Sequence, residues 1–407
     1  MTTALRHEST LNRRAWLVLA GTALAGCGGG GLGDLVGAVA PGVGGTGAVF
    51  SQGTISGFGS VVVNAVKYDD SAAMVLVNGQ SAAPQDLRLG MVAEVNGERT
   101  GTDPLTGAAL GKASGITVWS IAEGPISGMS YTGAVLTSVQ VMGMQLSLDG
   151  NTNLDTTPLA VNQNVVVWGL VANEDATQWR ATRVQVQQDS TLRMSTGRVR
   201  HTDGQVMLNG VTLSGQAVID LQDGQMVRVQ GTQTDSASLT VSQVWQLDAG
   251  LSAPTDSGLD VEVEGFVTST PVSGKFKVGS ISVDASASAL ASSLGELYLG
   301  ARLEVYGRWA DNTLVANKIE LKSQISDDGS ELEIIYTVEI EGTIDSFTSA
   351  ADFVMRGQRC NADQATYEYG TASDLPAAFL NQTRIKIDGH YEGAILMVAA
   401  LEFDHED

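Results

Sequence analysis

Short segments in which apolar and polar residues alternate, and which then run into a glycine, recur along the whole chain. Alternation with a period of two indicates β-strands with one buried face. In one such segment Val165 and Val167 precede Gly169, and the same pattern leads to four other glycines: Gly97, Gly231, Gly307 and Gly389. The pattern predicts an all-β protein with many short strands.

A second set of glycines opens a β segment at a nearly constant interval. Its members lie 71, 73, 68 and 77 residues apart: Gly53, Gly124, Gly197, Gly265 and Gly342. Two of them end the near-identical pentads VEVEG (residues 261–265) and VEIEG (residues 338–342). Self-similarity at a fixed period indicates a repeat architecture, so we predict five imperfect repeats.

The predicted elements follow the same order in each repeat. A hairpin with a central glycine comes after the opening strand, as in residues 141–146 and 276–283. The stretch most able to form a helix follows, as in residues 286–294 and 374–380, and a closing strand ends the repeat, as in residues 313–321. This order matches the OB-fold, a small five-stranded Greek-key barrel. We therefore predict tandem OB-like barrels.

The barrels are predicted to follow a signal peptide at residues 1–26 and a lipidated cysteine with a flexible glycine-rich linker at residues 27–50. Their boundaries are 51–122, 123–192, 193–250, 258–324 and 335–407. The third repeat is about ten residues shorter than the others, which leaves open whether its barrel is complete. Linkers at residues 248–260 and 323–330 predict a beaded rod whose last two units are held less stiffly.

The first residues have the features of an export signal. Arg6, Arg13 and Arg14 precede a mostly apolar run that is shorter than the ~20 residues needed to span a bilayer. The run ends in LAGC (residues 24–27), which resembles the lipobox of bacterial lipoproteins and implies acylation of Cys27. The arginine pair also resembles a twin-arginine signal, so the export route stays open. Gly28 stands where such lipoproteins carry an Asp retention signal, which implies the outer membrane, facing the periplasm or the cell surface.

The leader and the repeats together resemble bacterial lipoproteins that carry the family called domain of unknown function 5666. The matching positions are the five opening glycines and the five later glycines named above. The resemblance covers nearly all of the chain after the leader. It implies tandem β modules and brings no known activity with it.

Charge and cysteine content narrow the classes of partner. Asp and Glu outnumber Lys and Arg by 45 to 23, which gives a net charge of −22. A chain of that charge repels phosphate backbones, so no nucleic-acid partner is expected. With Cys27 acylated, Cys360 is the one remaining cysteine, and we expect it to be a half-buried strand residue without a disulfide.

The G-x-G-x-x-G spacing at Gly42, Gly44 and Gly47 lies in the tether with no strand before it and no helix after it, and we interpret it as chance. The sequence otherwise lacks the common motifs of catalytic, cofactor and metal sites, and we predict none of these sites. It has no G-x-S-x-G, P-loop or H-E-x-x-H pattern. His201, His390 and His405 are too scattered for a histidine-built metal site. Acidic residues at 327–333 and 402–407 are interpreted as a solvated linker and a solvated tail.

The pentads contain pairs of carboxylates that invite a glycosidase hypothesis. Glu262 with Glu264, and Glu339 with Glu341, are two residues apart. That spacing places each pair on one face of a strand, and we expect this face to be outward and solvated. A glycosidase would instead need two acids facing each other across the scissile bond.

Tryptophan is the other candidate binding residue. Five tryptophans follow the leader: Trp119, Trp168, Trp179, Trp245 and Trp309. Core or barrel-rim positions are expected for them, with a sugar-stacking site as the alternative.

These features predict a lipid-anchored binding or scaffolding protein of the cell envelope that performs no catalysis. Its expected partners are the membrane, through the anchor, and envelope proteins or glycans. An envelope polysaccharide hydrolase or glycan-binding module is the alternative, and an acidic coat that buffers cations is a third.

Overall fold

The computed structural model describes residues 47–104, 107–155, 158–187, 191–235, 237–247, 258–287, 290, 297–322, 324–325, 331–332 and 337–404. The predicted signal peptide, Cys27, most of the tether and of the two linkers, and the chain end from His405 lie outside this range. Within it the chain is almost entirely β-structure. No helix of the described residues has the length and hydrophobicity that crossing a bilayer requires.

Three repeats occupy the first part of the described chain. Repeat 1 contains β1 Ala48–Phe58, β2 Val61–Val63, β3 Val66–Asp69, β4 Met74–Val77, β5 Gln80–Ala82, a 3-10 turn at Pro84–Asp86, β6 Val92–Thr102 and β7 Ala109–Val118. Repeat 2 contains β8 Ala122–Thr132, β9 Val135–Val141, β10 Met144–Ser147, β11 Asn153–Leu154, β12 Asn164–Val171 and β13 Trp179–Val186. Repeat 3 contains β14 Leu192–Thr202, β15 Gln205–Leu208, β16 Val211–Ser214, a 3-10 turn at Gln216–Val218, β17 Met226–Asp235 and β18 Ser238–Gln246.

Two further repeats complete the chain. Repeat 4 contains β19 Asp260–Phe266, β20 Lys275–Val278, β21 Ile281–Asp284, β22 Arg302–Ala310 and β23 Thr313–Leu321. Two-residue strands, β24 Gln324–Ile325 and β25 Glu331–Leu332, pair with each other before repeat 5. Repeat 5 contains β26 Val338–Gly342, β27 Ser346–Ser349, β28 Asp352–Met355, β29 Gln358–Asn361, β30 Thr366–Glu368, a 3-10 turn at Ala372–Asp374, α1 Leu375–Asn381, β31 Ile385–Glu392 and β32 Ile395–Phe403.

Strand pairing closes the repeats into five-stranded rings, and in repeat 4 the closure is the isolated bridge between Val267 and Val278. In repeat 3, β14 pairs with β15 and β17, β15 with β16, and β18 with both β16 and β17. Only the β16–β18 pair is parallel, and equivalent parallel pairs join the third and last ring strands of the other repeats. The resulting order 1-2-3-5-4-1 confirms the predicted OB-like topology. Repeat 3 is complete despite its shortness, and in repeat 5 the opening strand is interrupted between β26 and β27.

The five later glycines belong to the fourth ring strand, and each lies opposite a bulge in the closing strand. Each lies at a shift in the strand register. A Cβ atom at any of these positions would lie 2.0–2.5 Å from a carbonyl oxygen of the closing strand. Glycine is needed there because two backbones approach each other closely.

Repeats that are distant in sequence are neighbours in space. The first half of β1 pairs in parallel with β19 of repeat 4, and its second half pairs in parallel with β26 of repeat 5. Repeats 2 and 3 are joined separately, through β8 and β14. The predicted beaded rod is therefore wrong, because the openers of repeats 4 and 5 both dock on repeat 1. The predicted tether also ends earlier than expected, since Val49 and Phe50 are buried in β1.

Apolar contacts join these two groups of repeats. Val166 and Trp168 of repeat 2 belong to the core shared by repeats 1 and 5. Val92, Leu170 and Phe266 form a small cluster with one residue each from repeats 1, 2 and 4. Repeats 1, 2, 4 and 5 consequently surround a common junction.

Candidate functional site

The acidic face of the first pentad is buried. Glu262 is 3% exposed and Glu264 is 5% exposed, so the expected outward, solvated face is wrong for this pair. Val261 and Val263 enter the core of repeat 4 as predicted. The side chains on the opposite face of β19 contact repeat 1, since Glu262 meets Ser51 and Glu264 meets Thr54.

Glu262 forms a buried ion pair between repeats 4 and 1. Its carboxylate accepts a hydrogen bond from Arg99 Nη2 and another, of 3.4 Å, from Ser51 Oγ. Burial raises the pKa of Glu262, although the neighbouring Arg99 opposes that shift. This pair ties the two repeats together where water is excluded.

Glu264 makes a second link between the same repeats. It accepts hydrogen bonds from the Thr54 backbone N–H at 2.7 Å and from Arg302 Nε at 2.8 Å. Arg302 Nη2 also donates to Thr54 Oγ1 at 3.2 Å. Burial alone would raise the pKa of Glu264, but Arg302 and Thr54 outweigh it and lower the pKa.

A chain of charged groups continues from there along repeat 4. Glu304 accepts from the Tyr306 hydroxyl at 2.5 Å and lies 3.2 Å from Lys322 Nζ. Burial raises the pKa of Glu304. Lys322 is also 3.9 Å from Glu320, and the carboxylates raise the pKa of Lys322 against the opposing effect of its burial.

The second pentad provides a similar link between repeats 5 and 1. Glu339 pairs with Lys67 at 2.6 Å and with Lys386 at 3.0 Å, and these lysines hold the pKa of Glu339 low despite its partial burial. Glu341 pairs with Arg384 at 2.6 Å within repeat 5 and is more exposed. All four pentad carboxylates therefore have cationic partners.

Three of these ion pairs border a cavity at the junction of repeats 1, 2, 4 and 5, namely Glu264 with Arg302, Glu304 with Lys322 and Glu339 with Lys67. Its volume is ≈ 350 Å³. We call it the central cavity. Its polar lining consists of Thr54, Ser56, Asn64, Lys67, Asn151, Asn153, Glu264, Arg302, Glu304, Lys322, Thr337, Glu339 and Tyr391.

The lining of the central cavity is balanced in charge. It contains the carboxylates of Glu264, Glu304 and Glu339, and each of them pairs with a cationic side chain that also lines the cavity. Amide, hydroxyl and phenol groups supply further donors and acceptors. Such a lining complements a polar molecule without net charge. No cluster of three or more His, Cys, Asp or Glu side chains suited to a metal ion occurs among the described residues.

The other predicted candidates lie elsewhere. His201 is 3.0 Å from the carbonyl oxygen of Leu221, whereas His390 is beside Glu392. Cys360 is fully buried in β29 rather than half-buried, and burial raises its pKa to about 12. Trp168, Trp179 and Trp309 are buried, while Trp119 and Trp245 are partly exposed and contact each other.

The cations of this site were not predicted from the sequence. The chain has only 23 basic residues, and that small number predicts the absence of a basic groove but not which cations are buried. Four of them contribute here: Lys67, Arg99, Arg302 and Lys322. The position of a cation beside an apolar strand is the feature of the sequence that could have indicated its burial. Arg302 and Lys322 immediately flank apolar strand segments of repeat 4, where a charged side chain needs a partner if it is buried.

Comparison with known families agrees with the repeat structure. The family model described as Domain of unknown function (DUF5666) matches residues 123–185 and 264–320. These segments cover most of repeats 2 and 4. No curated protein and no solved structure matches the chain.

Proposed function

We propose that this tandem array of small β-rings, which contains two DUF5666 domains, is a non-catalytic binding protein of the cell envelope. Its ligand would bind in the central cavity. The observation that carries the proposal is a cavity built jointly by four repeats and lined by matched opposite charges. Small-molecule sites combine apolar walls with a few placed polar groups, and the lining of the central cavity has both.

The lining favours a ligand that is polar and has no net charge, such as a zwitterion. A net anion or cation would leave unmatched charge in a site where the lining charges already compensate each other. A zwitterion can place its carboxylate near Lys67 or Arg302 and its ammonium near Glu304 or Glu339. The cavity volume of ≈ 350 Å³ falls at the small end of the usual ~300–1,000 Å³ range for ligand pockets.

Membrane attachment is the second part of the proposal. The lipobox-like segment at residues 24–27 supports acylation of Cys27. The net charge of −22 would keep the folded rings from adhering to anionic headgroups, so the lipid alone would hold the protein at the membrane.

The hydrolase alternative stays a prediction with its own test. Contacts between repeats already give three of the four pentad carboxylates a structural role. Glu262 and Glu339 form ion pairs with repeat 1, and Glu264 accepts a hydrogen bond from the Thr54 N–H of that repeat. We expect the wild-type protein to cleave no envelope polysaccharide, so that replacing these residues and Glu341 by Gln removes no activity. Turnover by the wild type that disappears in Gln variants shown by circular dichroism to stay folded would favour the hydrolase.

Ligand binding in the central cavity can be tested by thermal unfolding of the purified protein. The probes are two zwitterions, L-alanine and glycine betaine, with succinate and putrescine as charged comparators. A ligand that binds the native state raises Tm by mass action, with about 2.7 kcal/mol of stabilisation at a hundred times Kd. We expect at least one zwitterion to raise Tm more than either charged compound does.

A matched pair of variants locates the effect. Thr337 is exposed and lines the central cavity, whereas Thr132 is exposed in repeat 2 and does not. Thr337→Trp should abolish the rise in Tm, and Thr132→Trp should retain it. Absence of a zwitterion-specific rise, or a rise that survives in Thr337→Trp, would contradict the proposal.

A further inference from the structure

A second pocket lies where repeats 1, 2 and 3 meet, and it shares no lining residue with the central cavity. Its volume is ≈ 230 Å³. Three of its lining residues are tryptophans, Trp119, Trp179 and Trp245. We call it the tryptophan pocket. Folding brings together aromatic side chains that are far apart in sequence.

The aromatic groups have a defined arrangement. The ring centroids of Trp119 and Trp245 are 5.3 Å apart, and their planes meet at 63°, an edge-to-face contact. Trp179 is buried, and its Nε1 donates to the Ala176 carbonyl at 3.1 Å. The Trp179 indole N–H is thus already satisfied, which leaves the apolar body of the ring as its contribution to the pocket.

Two buried polar side chains line the same pocket with unused hydrogen-bonding atoms. Arg228, 5% exposed, places its guanidinium carbon 4.7 Å from the centroid of the Trp119 ring. Within the described part of the chain, Arg228 Nε has no hydrogen-bond partner, and neither does Oε1 of Gln52, which is 1% exposed. An unused donor and an unused acceptor, both buried, are costly unless something binds them.

We propose that the tryptophan pocket binds one ring of a neutral sugar. Sugar hydroxyl groups both donate and accept, so one ring can accept from Arg228 Nε and donate to Gln52 Oε1. The C–H face of a pyranose ring is apolar and packs against indole. A purely hydrophobic ligand would pack against the indole rings but would leave Arg228 Nε and Gln52 Oε1 without hydrogen-bond partners.

Charge and size support a neutral, single ring. Glu94 lines the pocket and interacts electrostatically with Arg228, so the positive charge of the guanidinium is already compensated. An acidic sugar would add an unmatched carboxylate. The volume of ≈ 230 Å³ is below the ~300–1,000 Å³ typical of pockets for drug-sized ligands, which fits one ring of a longer glycan or a free monosaccharide.

Calorimetric titration and a sedimentation assay would test the proposal and separate these two sources. The free-sugar probes are glucose and N-acetylglucosamine, and the polymeric probe is insoluble peptidoglycan. Binding of a free sugar would assign the pocket to monosaccharides, whereas sedimentation with peptidoglycan alone would assign it to the polymer. Glucuronic acid should bind more weakly than glucose because its carboxylate has no partner.

Variants must link the binding to the pocket. Trp245→Leu should weaken sugar binding about tenfold, since aromatic contacts contribute in this range. Gln52→Leu should also weaken it, while Tyr131→Leu is the matched control, because Tyr131 is 55% exposed and lies outside the pocket. The Thr337→Trp variant, which blocks the central cavity, should bind sugar with wild-type affinity. A failure of the sugar proposal can therefore be distinguished from a failure of the central-cavity proposal.

Two results would overturn the inference. One is the absence of binding to glucose, to N-acetylglucosamine and to peptidoglycan by a folded wild-type protein. The other is sugar binding that Trp245→Leu and Gln52→Leu leave at the wild-type affinity.

Discussion

Replacing Glu262 by Gln should destabilise the junction of repeats 1 and 4 far more than replacing Glu341 by Gln destabilises repeat 5. Both residues belong to the repeated pentads, and both pair with arginine. The side chains of Arg99 and Glu262 are only 8% and 4% exposed, however, whereas those of Arg384 and Glu341 are 53% and 41% exposed. The two substitutions therefore compare the same chemical change in opposite environments.

The expected magnitudes follow from that difference in burial. Removing one partner of a buried ion pair typically costs about 3–5 kcal/mol, because the other charge stays buried without compensation. Removing one partner of an exposed pair costs about 0–1 kcal/mol. Glu262→Gln should also weaken the contact from Ser51, since an amide oxygen accepts less strongly than a carboxylate.

Urea unfolding followed by circular dichroism at pH 7 measures both losses. The double variant Arg99→Met with Glu262→Leu provides a further check. It should lose less stability than either single charge removal, because no uncompensated buried charge remains. Equal losses for Glu262→Gln and Glu341→Gln, or additive losses in the double variant, would refute the assignment of a buried inter-repeat ion pair.

Four further outcomes are expected. Gly307→Ala should lower stability by about 1–3 kcal/mol in urea unfolding, because its Cβ would lie 2.1 Å from a backbone oxygen. Gly342→Ala is the control, since a Cβ there has open space and should cost less. Similar losses for the two variants would refute the close-approach argument. Cys360 should resist iodoacetamide at pH 8 until the protein unfolds, since burial raises its pKa to about 12; rapid labelling of the native protein would contradict its buried state. Burial raises the pKa of Glu304 above its unfolded value of about 4.3, so between these two pKa values the native state binds more protons than the unfolded state. The stability that this group contributes therefore falls as pH rises through that window. Tm of Glu304→Gln should decline less than wild-type Tm there, and parallel profiles would argue against the raised pKa. Cys27→Ala should move the protein out of the membrane fraction of cells, and unchanged membrane association would count against the lipid anchor.

The elements of each ring could be predicted because their determinants are local. Alternation around Val165 and Val167 identifies a strand from a few neighbouring residues. The later glycines, such as Gly169 and Gly307, recur because each ring requires the same close approach of two strands. Repetition then reinforced a pattern that would have been weak in any single copy.

The assembly of the rings could not be predicted in the same way. The pentad pattern places Glu262 and Glu264 on one face of a strand, but a solvated face and a face buried against another repeat have the same period. The partners decide between the two, and Arg99 and Thr54 lie in a repeat about 160 and 210 residues away in sequence. The contact between Trp119 and Trp245 could not be predicted for the same reason, because the two residues are 126 positions apart in sequence.

Hydrogen–deuterium exchange with and without the most stabilising zwitterion tests the central claim most directly. The proposal that four repeats jointly bind one polar ligand predicts slower exchange in peptides lining the central cavity from repeats 1, 2, 4 and 5 together. Peptides around the tryptophan pocket should exchange at their original rates. Protection confined to one repeat, or exchange that no zwitterion alters, would contradict a shared ligand site at the junction.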